Sequence, residues 1–138
     1  MTRPRVLQMP AGIVRSLVLH ARHARPRECC GLLVGSGPRV VLAVPLRNMA
    51  RGQTRYRIDP REHVALRRVV RETSPQLAIV GVYHSHPRGR AYPSETDVAE
   101  ALYPDWVHVI VGLGGGRAAV SAFAIAAGAV TRLVLRRT

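Results

Sequence analysis

A chain of 138 residues, 47% of them hydrophobic, suits one domain spanning residues 1–138 with enough material for a buried core. No run of roughly 18 apolar residues occurs, so no transmembrane helix is expected. Met1–Pro10 lacks the apolar centre of a signal peptide, and the two cysteines, Cys29 and Cys30, are adjacent. A pair so placed is unsuited to bridging distant segments, and a reducing, cytoplasmic setting is the expectation. The 21 basic side chains are all arginine against eight acidic ones, a formal charge of +13. They are spread along the chain, and aromatic residues make up only 4%, which disfavours a nucleic-acid groove. Arginine-biased composition on a solvated surface, or an acidic protein partner, accounts for the charge more simply.

In chain order, Val6–Met9 predicts a short first strand. A helix follows from Pro10 to about Arg25, with Ile13, Leu17 and Ala21 recurring every fourth residue and Val14 and Val18 beside them. Arg15, Arg22 and His23 should face outward. Cys29–Val34 reads as an apolar strand that turns at Gly35-Ser36-Gly37-Pro38 into a second, Val40–Leu46, with a further strand at Arg55–Ile58. Asp59-Pro60-Arg61-Glu62 is a helix start: a capping aspartate, proline at the first helical position, and glutamate three residues after the cap. That helix should turn Val64, Ala65, Val69 and Val70 inward and stop at Ser74-Pro75. Leu77–His86 is the longest apolar strand and reads as central. A helix over Glu95–Leu102 and three strands, Trp106–Leu113, Arg117–Ala126 and Ala129–Leu135, complete the pattern. The sum is an α/β (α+β) arrangement, a mixed sheet flanked by helices.

The chemistry lies where the central strand ends, in His84-Ser85-His86-Pro87 followed by Ser94-Glu95-Thr96-Asp97. Side chains alternate along a strand, so His84 and His86 share a face, and Pro87 stops the ladder. A carboxylate from the next element would complete a His/His/Asp set. Three protein ligands with a fourth position left to water describe a catalytic zinc rather than a closed structural one, and hydrolysis is the chemistry that follows. Iron is also compatible with two histidines and a carboxylate. Pro93-Ser94-x-x-Asp97 equally spells a capping box, and both readings hold together, since a helix start fixes Asp97 as a ligand must be fixed. A general base is still required. Glu62, Glu72 and Glu100 fall in solvated helical patterns, and of the eight acidic residues Glu28, at the mouth of a buried strand, is the best candidate. His108 alternates with Trp106 and Ile110 and reads as structural. His20, His23 and His63 read as helix-surface residues.

Glu28, then His84-Ser85-His86, seven residues beginning with Pro87, Ser94, two residues and Asp97 resemble the motif of the JAMM (MPN+) metalloproteases at every position. Glu28-x-Cys30-Gly31 resembles the family's glutamate strand. Asn48 with Tyr56-Arg57-Ile58-Asp59 is similar to the middle of its small prokaryotic members, notably the sulfur-carrier peptidases. The resemblance implies a cytidine-deaminase-like JAMM/MPN fold and one catalytic zinc on His84, His86 and Asp97. It implies Glu28 as the acid/base acting on the zinc-bound water and Ser94 as a donor to the tetrahedral oxyanion. Ser85 and Pro87 would shape the strand end, and Cys30 would be a core residue near the site. The implied activity is hydrolysis after the Gly-Gly tail of a ubiquitin-like sulfur carrier or its conjugates. The rival readings are a non-catalytic MPN scaffold, which should have lost ligands, and a nucleic-acid-binding module resting on charge alone. A zinc nucleobase deaminase needs His-x-Glu and Cys-x-x-Cys elements that this chain lacks.

Overall fold

The computed structural model describes residues 5–138. Its elements are β1 (Val6–Met9), α1 (Ala11–Ala24), β2 (Cys30–Ser36), β3 (Arg39–Leu46), α2 (Pro60–Thr73), β4 (Ala78–His86), α3 (Glu95–Ala99), β5 (Val107–Gly115), β6 (Arg117–Ala126) and β7 (Ala129–Arg137). The predicted mixed sheet with flanking helices is present, and it closes on itself in the order β1-β3-β2-β4-β5-β6-β7. Closure depends on β1, which runs parallel to both β7 and β3 and leaves neither as a free edge. β4 lies between β2 (antiparallel) and β5 (parallel). Parallel neighbours require a crossover, and α3 with its flanking loops supplies the one between β4 and β5. No helix among the described residues is long and apolar enough to cross a membrane.

Alternation along β4 divides the molecule. Tyr83 joins the larger apolar cluster with Val14, Leu17 and Ala21 of α1 and with Leu33, Val109 and Val111 of the sheet. Val82 joins a smaller cluster with Leu32, Ile79 and, from the α2 side, Leu66, Tyr56, Ile58 and Trp106. The buried positions of α1 are spaced as a core-facing helical stripe, and Pro26 disfavours helix at Arg25.

Three expectations change. Val64, Ala65 and Val69 of α2 are exposed, and the inward stripe is His63, Leu66 and Val70. Apolar residues at 64, 65, 66, 69 and 70 allow several faces, and packing against β4 selects one. Arg55–Ile58 is not a strand; it contributes one bridge, Ile58 to Asn48. α3 spans only Glu95–Ala99 and buries none of its residues, so nothing holds a helix through Leu102, which is 81% exposed.

Candidate metal centre

His84 and His86 sit on the last turn of the β4 ladder, paired with Ile110 and Gly112 of β5. They share the Val82 face, and His84 is fully buried. Asp97 is brought to them by the start of α3. Ser94 Oγ accepts from Asp97 N at 3.0 Å, and Asp97 Oδ2 accepts from Ser94 N at 2.9 Å. The capping box is therefore formed, and the same Oδ2 lies 3.1 Å from His84 Nε2 and 3.0 Å from His86 Nε2. The two Nε2 atoms are 3.1 Å apart.

Three Lewis-basic atoms this close fit one ion. Tetrahedral ligands at 2.0–2.1 Å from zinc stand roughly 3.3 Å from one another. Glu28 also brings a carboxylate oxygen within 4.8 Å of the two histidines, but the Asp97 triangle is the tighter set. The His86 ring is oriented as a ligand's would be. Its Nδ1–H donates to Arg90 O at 2.9 Å, which turns the Nε2 lone pair toward Asp97 and His84. His84 is held differently: Tyr56 stacks on its ring at 4.4 Å, and its Nδ1 has no partner.

Glu28 immediately precedes Cys29 and β2 and is 5% exposed, with Oε1 buried and unpartnered. The β2–β4 register explains its position: Cys30 pairs with His84, which brings the chain two residues upstream to the level of His86. Two further ties fix it. Ser85 Oγ accepts from Cys29 N at 2.8 Å, and Asn48 Nδ2 donates to Glu28 O at 3.0 Å. Asn48 also donates to Arg55 O and accepts from Ala50 N and Arg57 N, so one amide side chain organises the loop that presents Tyr56.

Charge in the site follows from burial and contact. Burial raises the Glu28 carboxyl to about 7, partly countered by His86 and reinforced by Asp97. Burial acts upward on Asp97 too, but hydrogen bonds from His84 and His86 outweigh it and hold that carboxyl well below the usual range. Burial lowers His84. For His86 burial is opposed by the bonds to Asp97 and Arg90 O, and the net shift is upward. The thiols of Cys29 and Cys30 are pushed up to about 11 and about 12 by burial, so neither is a thiolate nucleophile.

Beside the triangle lies a groove of about 340 Å³ lined by Glu28, His86, Pro87, Arg88, Gly89, Ser94 and, opposite, Pro26, Gln53 and Thr54. His108 stays outside the triangle. It lies on the His84 face of the neighbouring strand, is 5% exposed with Nε2 unpartnered, and burial lowers it to about 4. Two histidines read as helix-surface residues have partners. His20 Nδ1 lies 2.8 Å from Tyr83 Oη, and His63 packs against Tyr103 and Trp106. The stacking of Tyr56 on His84 had no signal in spacing, because Tyr56 lies in an irregular segment.

A family model described as prokaryotic homologs of the JAB domain matches residues 10–125. The chain is 39% identical over 108 residues to the CysO-cysteine peptidase of Mycobacterium tuberculosis, covering 77% of this chain and 73% of that protein. It is 35% identical over 111 residues to the desampylase of Haloferax volcanii, covering 75% and 78%. Over 115 residues it is 36% identical to a probable TtuB-protein conjugate cleaving protease of Thermus thermophilus, covering 82% and 74%. Among solved structures, a protein of Desulfitobacterium hafniense superposes with a TM-score of 0.82 at 27% identity, covering 96% and 94% of the two chains.

Proposed function

The chain belongs to the prokaryotic homologs of the JAB domain, and we propose that it is a zinc-dependent peptidase cutting after the Gly-Gly tail of a ubiquitin-like sulfur-carrier protein or its conjugates. The named relatives are peptidases, and their names include both an amino acid attached to a carrier and a protein conjugate. The observation that carries the reading is the His84–His86–Asp97 triangle with the unpartnered, buried Oε1 of Glu28 beside it. Residues 1–138 are taken as one such domain, working in a reducing, cytoplasmic setting consistent with two free buried cysteines.

His84, His86 and Asp97 would hold the ion, which when bound supplies a Lewis acid and lowers the pKa of water. The rest falls to the chain. Glu28 accepts a proton from the attacking water and returns it to the leaving amine. Burial pushes this carboxyl up and the neighbouring ion would pull it down, and a carboxyl balanced between the two can take a proton and return it. Ser94 Oγ accepts from Asp97 N, which leaves its own proton free to donate to the developing oxyanion. The extended tail would lie along the groove, held by main-chain hydrogen bonds as an added strand is.

The test is cleavage of a ubiquitin-fold carrier extended beyond its Gly-Gly tail, measured on purified protein, after chelation, and after zinc is restored. Cleavage at the glycine, lost with chelator and regained with about one zinc per chain, is the expected result. Undiminished cleavage by chelated, metal-free protein would overturn the zinc assignment.

A further inference from the structure

The groove holds one guanidinium without a task. Arg88 is exposed, lines the groove with Glu28 and His86, and enters none of the ion pairs among the described residues. Its mount is rigid. The loop that bears it is tied back by His86 Nδ1–H to Arg90 O at 2.9 Å, Gly89 N to His86 O at 3.3 Å, and Gly114 N to Gly89 O at 3.0 Å. The loop also lies flat on the end of β5 because two glycines there carry no side chain. A Cβ on Gly112 would stand 2.3 Å from Ala91 N, and one on Gly114 would stand 2.6 Å from Arg88 O. Backbone contacts this close fix the point from which Arg88 projects.

We propose that Arg88 recognises the α-carboxylate of the residue released, so that the substrate is a carrier bearing a free amino acid after its tail. The inference rests on the peptidase reading above and narrows it. In that reaction the water oxygen bonds to the glycine carbonyl carbon, the C–N bond breaks, and Glu28 passes the water's proton to the departing nitrogen. The leaving residue must therefore lie in the part of the groove that contains Glu28, and Arg88 lines the same groove. An α-amino acid carries a carboxylate on the carbon next to the departing nitrogen. A lysine side chain leaving from an isopeptide carries four methylenes there and no anion. An arginine that projects from a fixed loop and has no carboxylate of its own suits the first, and its planar fork can bind both carboxylate oxygens.

The experiment uses the zinc-loaded full chain and two forms of one ubiquitin-fold carrier ending in Gly-Gly-Ala, one a free acid and one a carboxamide. Charge-assisted hydrogen bonding predicts a kcat/KM roughly ten- to a hundredfold higher for the acid. Arg88→Gln should abolish that preference. Arg68→Gln, which removes one charge from the exposed face of α2, should keep it. Equal cleavage of acid and amide by the unaltered chain, or a preference that survives in Arg88→Gln, would overturn the role of Arg88 and leave the peptidase reading standing. Failure to cut either form would overturn both.

Discussion

The two faces of β4 treat polar groups in opposite ways. On the α1 face, Tyr83 Oη meets His20, and Ser85 Oγ accepts from the backbone of Cys29. On the other face and beside it, Glu28 Oε1, His84 Nδ1 and His108 Nε2 are buried without partners. An unsatisfied buried polar atom costs about 1–3 kcal/mol, so three in one neighbourhood require a reason. The contrast teaches that one strand can carry structural and chemical polar groups side by side. Those that hold the fold have satisfied one another, and among the unpartnered ones Glu28 Oε1 stands beside the His84–His86–Asp97 triangle, where a proton carrier is needed.

Removing the proposed ligands should give the largest effect. The double variant His84→Ala/His86→Ala should lose its zinc and essentially all cleavage, read by metal analysis and a carrier-fusion assay. Zinc content equal to that of the unaltered chain would break the assignment of this face to metal. Glu28→Gln comes next. It keeps the triangle but removes the proposed acid/base, so cleavage should fall about a hundred- to ten-thousandfold with zinc retained. Near-normal turnover would show that its unpartnered oxygen has no part in the chemistry.

Smaller effects separate the faces through stability. His108 has a folded pKa near 4, below its ordinary 6.5, because burial disfavours the charged ring. The unfolded chain then binds the extra proton between these values, so the contribution is intact above about 6.5 and is lost as pH falls toward 4. By pH 5 the loss should reach about 2 kcal/mol. His108→Leu should therefore unfold less readily than the unaltered chain at pH 5, with the difference narrowing at pH 7, as urea titrations at the two pH values would show. A gap that does not change with pH would refute the neutral, buried assignment. On the satisfied face, Ser85→Ala strands the Cys29 N–H and should cost about 1–3 kcal/mol. Tyr83→Phe, whose partner His20 is half-buried, should cost about 0.5–1.5 kcal/mol. Neither should release zinc, and metal analysis of the folded variants checks this.

Much of the site was legible because its spacing is local. His84 and His86 share a face in any strand, and Ser94-x-x-Asp97 caps a helix start wherever that helix lies, so both features could be read before the fold was known. The same holds for the seven strands of the barrel, whose apolar runs and turn residues mark them, and for α1, whose stripe has a single consistent face. α2 was ambiguous because its apolar residues surround much of the helix, and only the packing of Leu66 and Val70 toward β4 chose its orientation.

Other features depended on contacts between segments distant in sequence. Glu28 lies 56 residues from His84, and its place beside the histidines comes from the pairing of Cys30 with His84. Tyr56 reaches the His84 ring from a loop organised by Asn48, with no periodicity to announce it. Closure of the sheet through β1 likewise depended on which edges met. The sequence by itself determined which residues could act and which of them share an element, because backbone geometry fixes neighbours two to four residues apart. Only the tertiary structure decided which of them meet, because strand register and packing set the distances between elements and no local rule does.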